Sequence, residues 1–274
     1  MSKKVLWIGL SLALICTTAA LAVPAAAEDG GVEKTADTNT VTIYTTNDIH
    51  GVVGGSDTAI GLPQTAAIAA STENALLVDA GDAIQGASFA TISQGLDVIR
   101  LMNSAGYDVM AAGNHEFDYG YDMLMANVEM ADFPILGANV LYNGSPMLEQ
   151  NTVITVGEHK IGFIGITTTD TATSTNPAKL ARVTFADEIQ TAKEQIANLS
   201  DSTDAIVLVC HLGNNPSAVD CTSEDLLKGL SAEELSKVTA AVDGHSHTVE
   251  DGVFEGTSIP VIQTGTGFTA LGAI

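Results

Sequence analysis

The chain has 274 residues, 46% of them hydrophobic and 5% aromatic, and its 33 acidic against 10 basic residues give a formal net charge of −23. That length holds one large domain or two small ones, with enough apolar content for a core. No basic stripe is visible, which argues against a nucleic-acid polymer as partner; an acidic protein that handles anions needs a local positive centre, and bound metal ions would supply one.

Residues 1–27 read as a secretory signal: Lys3 and Lys4, an apolar stretch, then Ala25-Ala26-Ala27 as a small-residue cleavage site before Glu28. Its removal takes away two lysines and no acids, moving the charge from −23 to −25, and leaves no second apolar span. Export to the periplasm, the exterior or the cell surface is the expectation. Residues 28–40 are polar and acidic and read as a flexible lead-in. Two cysteines remain after the signal. An oxidising compartment permits a Cys210–Cys221 disulfide, but Cys210 lies in the apolar run AIVLVCH, where a buried thiol is the commoner outcome, so free thiols are expected.

From residue 41 onward, short apolar runs end in glycine and polar residues. VTIYTT (41–46) reads as extended and delivers Asp48 and His50; read as a continuing strand, residues two apart point the same way. NALLVDAGD (74–82) ends at Asp79 and Asp82, and YDVMAAGNHEFDYG (107–120) carries Asn114 and His115. TVITVGEHKIGFIGI (152–166) predicts a hairpin turning at Gly157-Glu158. DAIVLVCHLG (204–213) ends at His211, and KVTAAVDGHSHT (237–248) at His245 and His247. Helical spacing marks 91–105, 120–131, 186–199 and 223–240, with TSEDLL and SAEELS as helix starts. Strands alternating with helices predict an α/β layered fold, in which ligands gather outside the carboxyl ends of strands.

Of six histidines, five sit at such strand ends, and only His159 lies elsewhere, in the hairpin. One strand-end histidine is more often structural; five, joined by Asp48, Asp82 and Asn114, point to a metal site. Mixed nitrogen and oxygen donors without thiolate suit Zn, Mn, Fe or Co. Asp48, His50, Asp82, Asn114, His211, His245 and His247 exceed the needs of one tetrahedral ion and suit two ions sharing a carboxylate. Two metals about 3.5–4 Å apart activate water and clamp an in-line phosphoryl displacement, so the chemistry points to phosphate-ester hydrolysis.

TNDIHG, GDAIQG, GNHEFDYG, HLG and GHSHT, in this order, together with GITTTDTATSTNP (165–177), resemble the calcineurin-like metallophosphoesterases. More narrowly they resemble the secreted 5'-nucleotidases, a group that includes UDP-sugar hydrolases and 2',3'-cyclic-nucleotide phosphodiesterases. The resemblance implies a four-layer α/β/β/α sandwich of two mixed sheets flanked by helices, over residues 41–274. It implies Asp48, His50 and His247 as ligands of one divalent ion, Asn114, His211 and His245 as ligands of the other, and Asp82 as the bridge. Some relatives carry Gln at the place of His247. His115 is implied as the catalytic histidine, contacting the substrate phosphate beside Asn114, with Asp118 orienting it.

Asp79, Glu116 and Asp243 are expected to brace the loops, and Met102, Met110, Met123, Met125 and Met130 to pack the core. The family carries a second, C-terminal domain that holds the base; this chain reads as the catalytic domain without it. The function expected is that of a secreted two-metal phosphohydrolase acting on nucleotides. The alternatives are a cyclic-nucleotide phosphodiesterase or broad phosphatase, and, in another class, an exported metal-binding protein without turnover.

Overall fold

The structure, a computed structural model, describes residues 40–274; the expected signal, and the lead-in up to residue 39, lie outside the described residues. The elements in chain order begin β1 (Thr42–Thr46), α1 (Leu62–Ala70), β2 (Ala75–Asp79), α2 (Ser88–Ser93), α3 (Leu96–Ala105), β3 (Val109–Ala111), α4 (Tyr121–Met130) and β4 (Ile135–Leu136). There follow β5 (Val140–Tyr142), β6 (Ser145–Pro146), β7 (Asn151–Val156), β8 (His159–Thr167), α5 (Thr171–Ser174), β9 (Val183–Phe185), α6 (Glu188–Leu199) and β10 (Ala205–His211). The last are α7 (Ser223–Gly229), α8 (Ala232–Leu235), β11 (Val238–Val242), β12 (Val249–Val253), β13 (Pro260–Thr264) and β14 (Gly272–Ala273).

The strands form a five-stranded sheet in the order β14-β1-β2-β3-β4, a six-stranded sheet in the order β12-β13-β11-β10-β8-β7, and a small β6-β5-β9 sheet. Both large sheets are mixed: β1 to β4 run parallel with β14 antiparallel, and β8, β10, β11 and β13 run parallel with β7 and β12 antiparallel.

Alternation along the strands explains the layers. Side chains one apart face opposite sides of a sheet. On β2, Leu76 and Val78 join a core with Phe163, Val207, Val209 and Val242 of the other sheet, whereas Leu77 packs with Leu62 of α1, Ile99 and Met102 of α3 and Leu124 of α4. On β10, Val207 and Val209 face inward, while Ile206, Leu208 and Cys210 face Ile196 of α6 and Leu226 and Leu227 of α7. Three apolar interfaces therefore separate four layers, the α/β/β/α sandwich expected. Phe163 is fully buried between the sheets, a burial contributing roughly 1.5–3 kcal/mol.

Several local expectations meet the structure directly. The hairpin turns between β7 and β8, with Val156 opposite His159. Thr222 and Ser231 each close a reciprocal capping box, with Asp225 and Glu234. The stretch 223–240 is not one helix, however. Leu230 adopts extended backbone between α7 and α8, and 238–242 forms the central strand β11. The spacing over 91–105 is likewise interrupted, since Gln94 and Gly95 both have left-handed backbone between α2 and α3. Cys210 and Cys221 are free and buried.

Candidate metal centre

Five parallel strands, three from one sheet and two from the other, end at one edge of the sandwich. β1 leads to Asp48 and His50, β2 to Asp82, β3 to Asn114 and His115, β10 ends in His211, and β11 leads to His245 and His247. The ligand atoms of Asp48, His50 and His247 lie within 4.8 Å of one another, as do those of Asp82, His211 and His245. His247 Nε2 is 3.0 Å from His50 Nε2 and 3.4 Å from Asp48 Oδ1. Asn114 Oδ1 faces His245 Nδ1 at 2.8 Å. All seven expected ligands thus meet at one edge.

The way they converge differs from the extended reading. β1 stops at Thr46, and Asp48 (φ 49°) and His50 (φ 47°) lie in left-handed backbone. Asp82 (φ 59°), His245 (φ 79°) and His247 (φ 54°) do as well. Tight left-handed turns, rather than the two-residue pleat, bring the pairs together. Each such residue costs about 1–2 kcal/mol because its Cβ crowds the backbone; strain of this kind concentrates at functional sites.

Braces hold these turns. Glu116 is buried and accepts from the backbone N–H groups of Asp82, Ala83, Ile84 and Gly113. Asp243 accepts from Leu212, Gly213 and Gly244, and Asp79 from the Gly81 N–H and the Thr46 hydroxyl. Burial pushes all three carboxyls upward, Glu116 to about 7 and Asp243 to about 6. Space is tight as well: a Cβ on Gly113 would collide with Asp82 Oδ1, and one on Gly244 would lie 2.8 Å from His211 Nδ1 and 3.0 Å from Asp48 Oδ2.

The donor set fits metal ions. His211 Nδ1 donates to the Ala80 carbonyl at 2.7 Å, which directs the lone pair of Nε2 into the site. That Nε2 lies 3.1 Å from Asp82 Oδ2 and 4.0 Å from Asp48 Oδ1, without an aligned hydrogen bond. Asp48 Oδ2 is held by the Asn47 side-chain amide and the His245 N–H, and Oδ1, fully buried, has no hydrogen-bond partner. A buried carboxylate oxygen such as Asp48 Oδ1, left without a donor, carries a large desolvation cost; a divalent cation held between it, Asp82 and His211 removes it.

The electrostatics agree. Burial pulls the His211 imidazole down, but the Asp82 and Asp48 carboxylates carry it well above its usual value. Burial raises Asp82, yet His211 and His115 bring it below the ordinary carboxylate range. Burial and the neighbouring His211 hold His245 down.

His115 stands beside the donors rather than among them. Its backbone N–H donates to Asp82 Oδ1 at 2.8 Å, and its ring packs edge-on to His50 with centroids 5.4 Å apart. Nδ1 meets Asp118 Oδ2 at 2.7 Å, leaving Nε2 free for a ligand, and the side chain is 33% exposed. The Asp118 hydrogen bond raises the imidazole to about 9 against the opposing effect of burial.

Sequence reasoning gave Glu116 only a bracing role and did not anticipate its four N–H partners. It also did not single out Asn47, Thr266 or Gly267. The Thr266 hydroxyl and Gly267 N–H both donate to the Asp48 carbonyl, and Asn47 bridges Asp48 to Gly265. Thr266 and Gly267 belong to no motif of titratable residues, where only the dense glycine of GTG hints at the turn, and Asn47 lies in TNDIHG as a neutral neighbour of Asp48.

The sequence model of the family described as calcineurin-like phosphoesterase matches residues 41–249. Snake venom 5'-nucleotidase of Naja atra is 34% identical over 232 residues, covering 76% of this chain and 41% of that protein. The 5'-nucleotidase of Bos taurus is 31% identical over 230 residues, 76% of this chain and 38% of that one. The chain thus spans about two fifths of the length of these curated relatives. The crystal structure of the calcineurin-like phosphoesterase YfkN from Bacillus subtilis superposes with a TM-score of 0.73 at 25% identity, over 85% of this chain and 83% of that one. Matched in sequence over most of its length and in fold over nearly all of its described residues, this chain belongs to the calcineurin-like phosphoesterase family.

Proposed function

We propose that the protein is an exported dinuclear-metal phosphohydrolase that cleaves nucleotide phosphate monoesters, as a 5'-nucleotidase does. The observation that carries this reading is the set of buried, mutually facing ligand atoms, Asp48 Oδ1, Asp82 Oδ2 and His211 Nε2, with His115 Nε2 presented beside them. Asp48, His50 and His247 would hold one ion, Asn114, His211 and His245 the other, with Asp82 shared. Two such ions supply Lewis-acid charge for an in-line displacement at phosphorus. These nitrogen and oxygen donors suit Zn, Mn, Fe or Co.

The chain's own residues then do the rest. Asn114 and His115 contact the substrate phosphate. His115, kept protonated at neutral pH by Asp118, holds its proton at Nε2 for the phosphoryl oxygens and for the departing ester oxygen. Asp118 fixes the ring by its 2.7 Å contact with Nδ1. Export rests on the leader-like residues 1–27, and no helix among the described residues is long and apolar enough to cross a membrane.

The test is phosphate release from AMP and from p-nitrophenyl phosphate, and ring opening of 2',3'-cyclic AMP to the monophosphate followed by chromatography, after chelation and after Mn²⁺ or Zn²⁺ is restored. AMP hydrolysis lost on chelation and regained with metal is expected. Hydrolysis of the cyclic ester alone makes the protein a phosphodiesterase. Stoichiometric metal with no turnover on any of the three makes it a metal-binding protein.

A further inference from the structure

Away from the metal centre, a cleft of about 460 Å³ opens between the start of α4 and the segment leading into β9. Tyr119, Tyr121, Asp122, Tyr142, Lys179 and Arg182 line it. Two of the chain's ten basic residues therefore face one cleft, with three of its five tyrosines. Among the described residues neither Lys179 nor Arg182 has a carboxylate within ion-pair distance, whereas Arg100 pairs with Asp97 and Lys228 with Glu224. Asp122 is the one acid in the lining, so cations outnumber it two to one. In a protein with a net charge of −23 such a place is conspicuous.

The cationic side chains are placed by the backbone. Lys179 runs over Gly120, its Cδ 3.3 Å from where a Cβ would stand, and Gly120 (φ 84°) admits no side chain without strain. Arg182 has left-handed backbone (φ 72°), and its carbonyl accepts from Asn143 N–H. A non-glycine residue in that region is worth a functional question. The Tyr119 hydroxyl is buried without a hydrogen-bond partner, and the rings of Tyr121 and Tyr142 stack with centroids 4.0 Å apart. The volume lies in the usual range of small-molecule sites, roughly 300–1,000 Å³, and exceeds what one phosphate fills.

We propose that this cleft is a second binding site, separate from the metal centre, for a small aromatic anion of the nucleoside-phosphate class. Lys179 and Arg182 take the phosphate as charge-assisted donors, and the tyrosine wall receives the planar base. The site goes beyond the phosphoesterase reading. Its walls also touch the metal-centre loops: Tyr119 follows Asp118, and Thr175, upstream of Lys179, donates to the Asn114 carbonyl.

The experiment is calorimetric titration of the metal-free, chelated protein with AMP, adenosine and inorganic phosphate. It is run on the unaltered chain, on Lys179→Gln/Arg182→Gln and on Tyr121→Leu. AMP is expected to bind the unaltered chain more tightly than adenosine or phosphate. Its affinity should fall by about tenfold or more in the double variant, and also in Tyr121→Leu. Both substituted cations are exposed, so the fold survives, and metal-restored hydrolysis of p-nitrophenyl phosphate stays within about twofold of the unaltered rate. No AMP binding up to about 10 mM, or equal affinity in the double variant, overturns the proposal. Phosphate binding as well as AMP reduces the cleft to a plain anion site and overturns the nucleotide assignment. A double variant that binds AMP weakly and also loses hydrolysis overturns the claim that the two sites are separate.

Discussion

The two candidate ligand clusters are built from the same residue types, yet their surroundings differ. In the Asp82–His211–His245 cluster, Asp82 and His211 are buried, and each is pinned by the backbone, Asp82 Oδ1 by His115 N–H and His211 Nδ1 by the Ala80 carbonyl. In the Asp48–His50–His247 cluster only Asp48 is buried; the side chain of His247 is 46% exposed and that of His50 17%. Among the described residues the polar partners of the His247 ring are His50 and Asp48, and Asp48 raises its imidazole against the opposing effect of burial. The difference teaches a division of labour. The closed cluster has its geometry set by backbone contacts, so the open one is where an ion would be expected to exchange and where the preference among metals would be tuned.

The comparison breaks first at the residue meant to serve both clusters. Asp82→Asn should release both ions and cost more activity than loss of any acid or base. Metal content by elemental analysis, beside the rate of phosphate release, checks this; two ions retained would mean that Asp82 does not bridge. His115→Asn should keep both ions and slow turnover by roughly 10²–10⁴-fold. Metal loss in that variant would move His115 into the ligand set and redraw the closed cluster.

A smaller change is expected for Asp118→Asn, about 10–100-fold, the scale of an orienting partner. It also has a direction in pH. The Asp118 hydrogen bond raises His115, so the protonated form, active in the proposed mechanism, prevails at lower pH and is lost as pH rises through the raised value. Removing the bond lowers the value toward the free imidazole, near 6.5, and the alkaline limb of the kcat/KM profile should move to lower pH. A limb that stays in place would assign it to another group. The mildest effect belongs to the open cluster. His247→Gln retains a ligating side chain and should change activity by less than about tenfold while reordering the preference among Zn, Mn and Co. In a timed chelation of the unaltered protein, one ion should leave well before the other; simultaneous loss would erase the contrast between the clusters.

How far the sequence disclosed this site follows from its chemistry. The candidate ligands are legible because metal-capable side chains recur at strand ends in a fixed order of motifs. The hairpin at Gly157-Glu158 and the starts of α7 and α8 were visible because turn and cap chemistry is local. The break at Leu230 was not, because apolar spacing over 223–240 suits helix and strand alike, and the sheet decides the outcome for Val238–Val242 by pairing it with β10 and β13. The left-handed turns at Asp48 and His50 escaped notice for a related reason. Their conformation is imposed by long-range bonds, such as Asp48 N–H to the Gly81 carbonyl and His50 N–H to the Asp82 carbonyl. Glu116 was read correctly as a brace, but its partners Asp82–Ile84 lie over thirty residues away in the chain.

Left-handed backbone at five of the seven ligand positions has a consequence for how such a protein drifts over generations. In the absence of metal, each of these side chains is a cost of about 1–2 kcal/mol that glycine would not carry. At His247, the most exposed of them, a change to glycine removes that cost but also removes the imidazole that faces the buried Asp48 carboxylate at 3.4 Å. Relief of backbone strain alone therefore gives such a chain no downhill path away from His247, because the lost imidazole leaves the buried Asp48 carboxylate without the positive charge that offsets it.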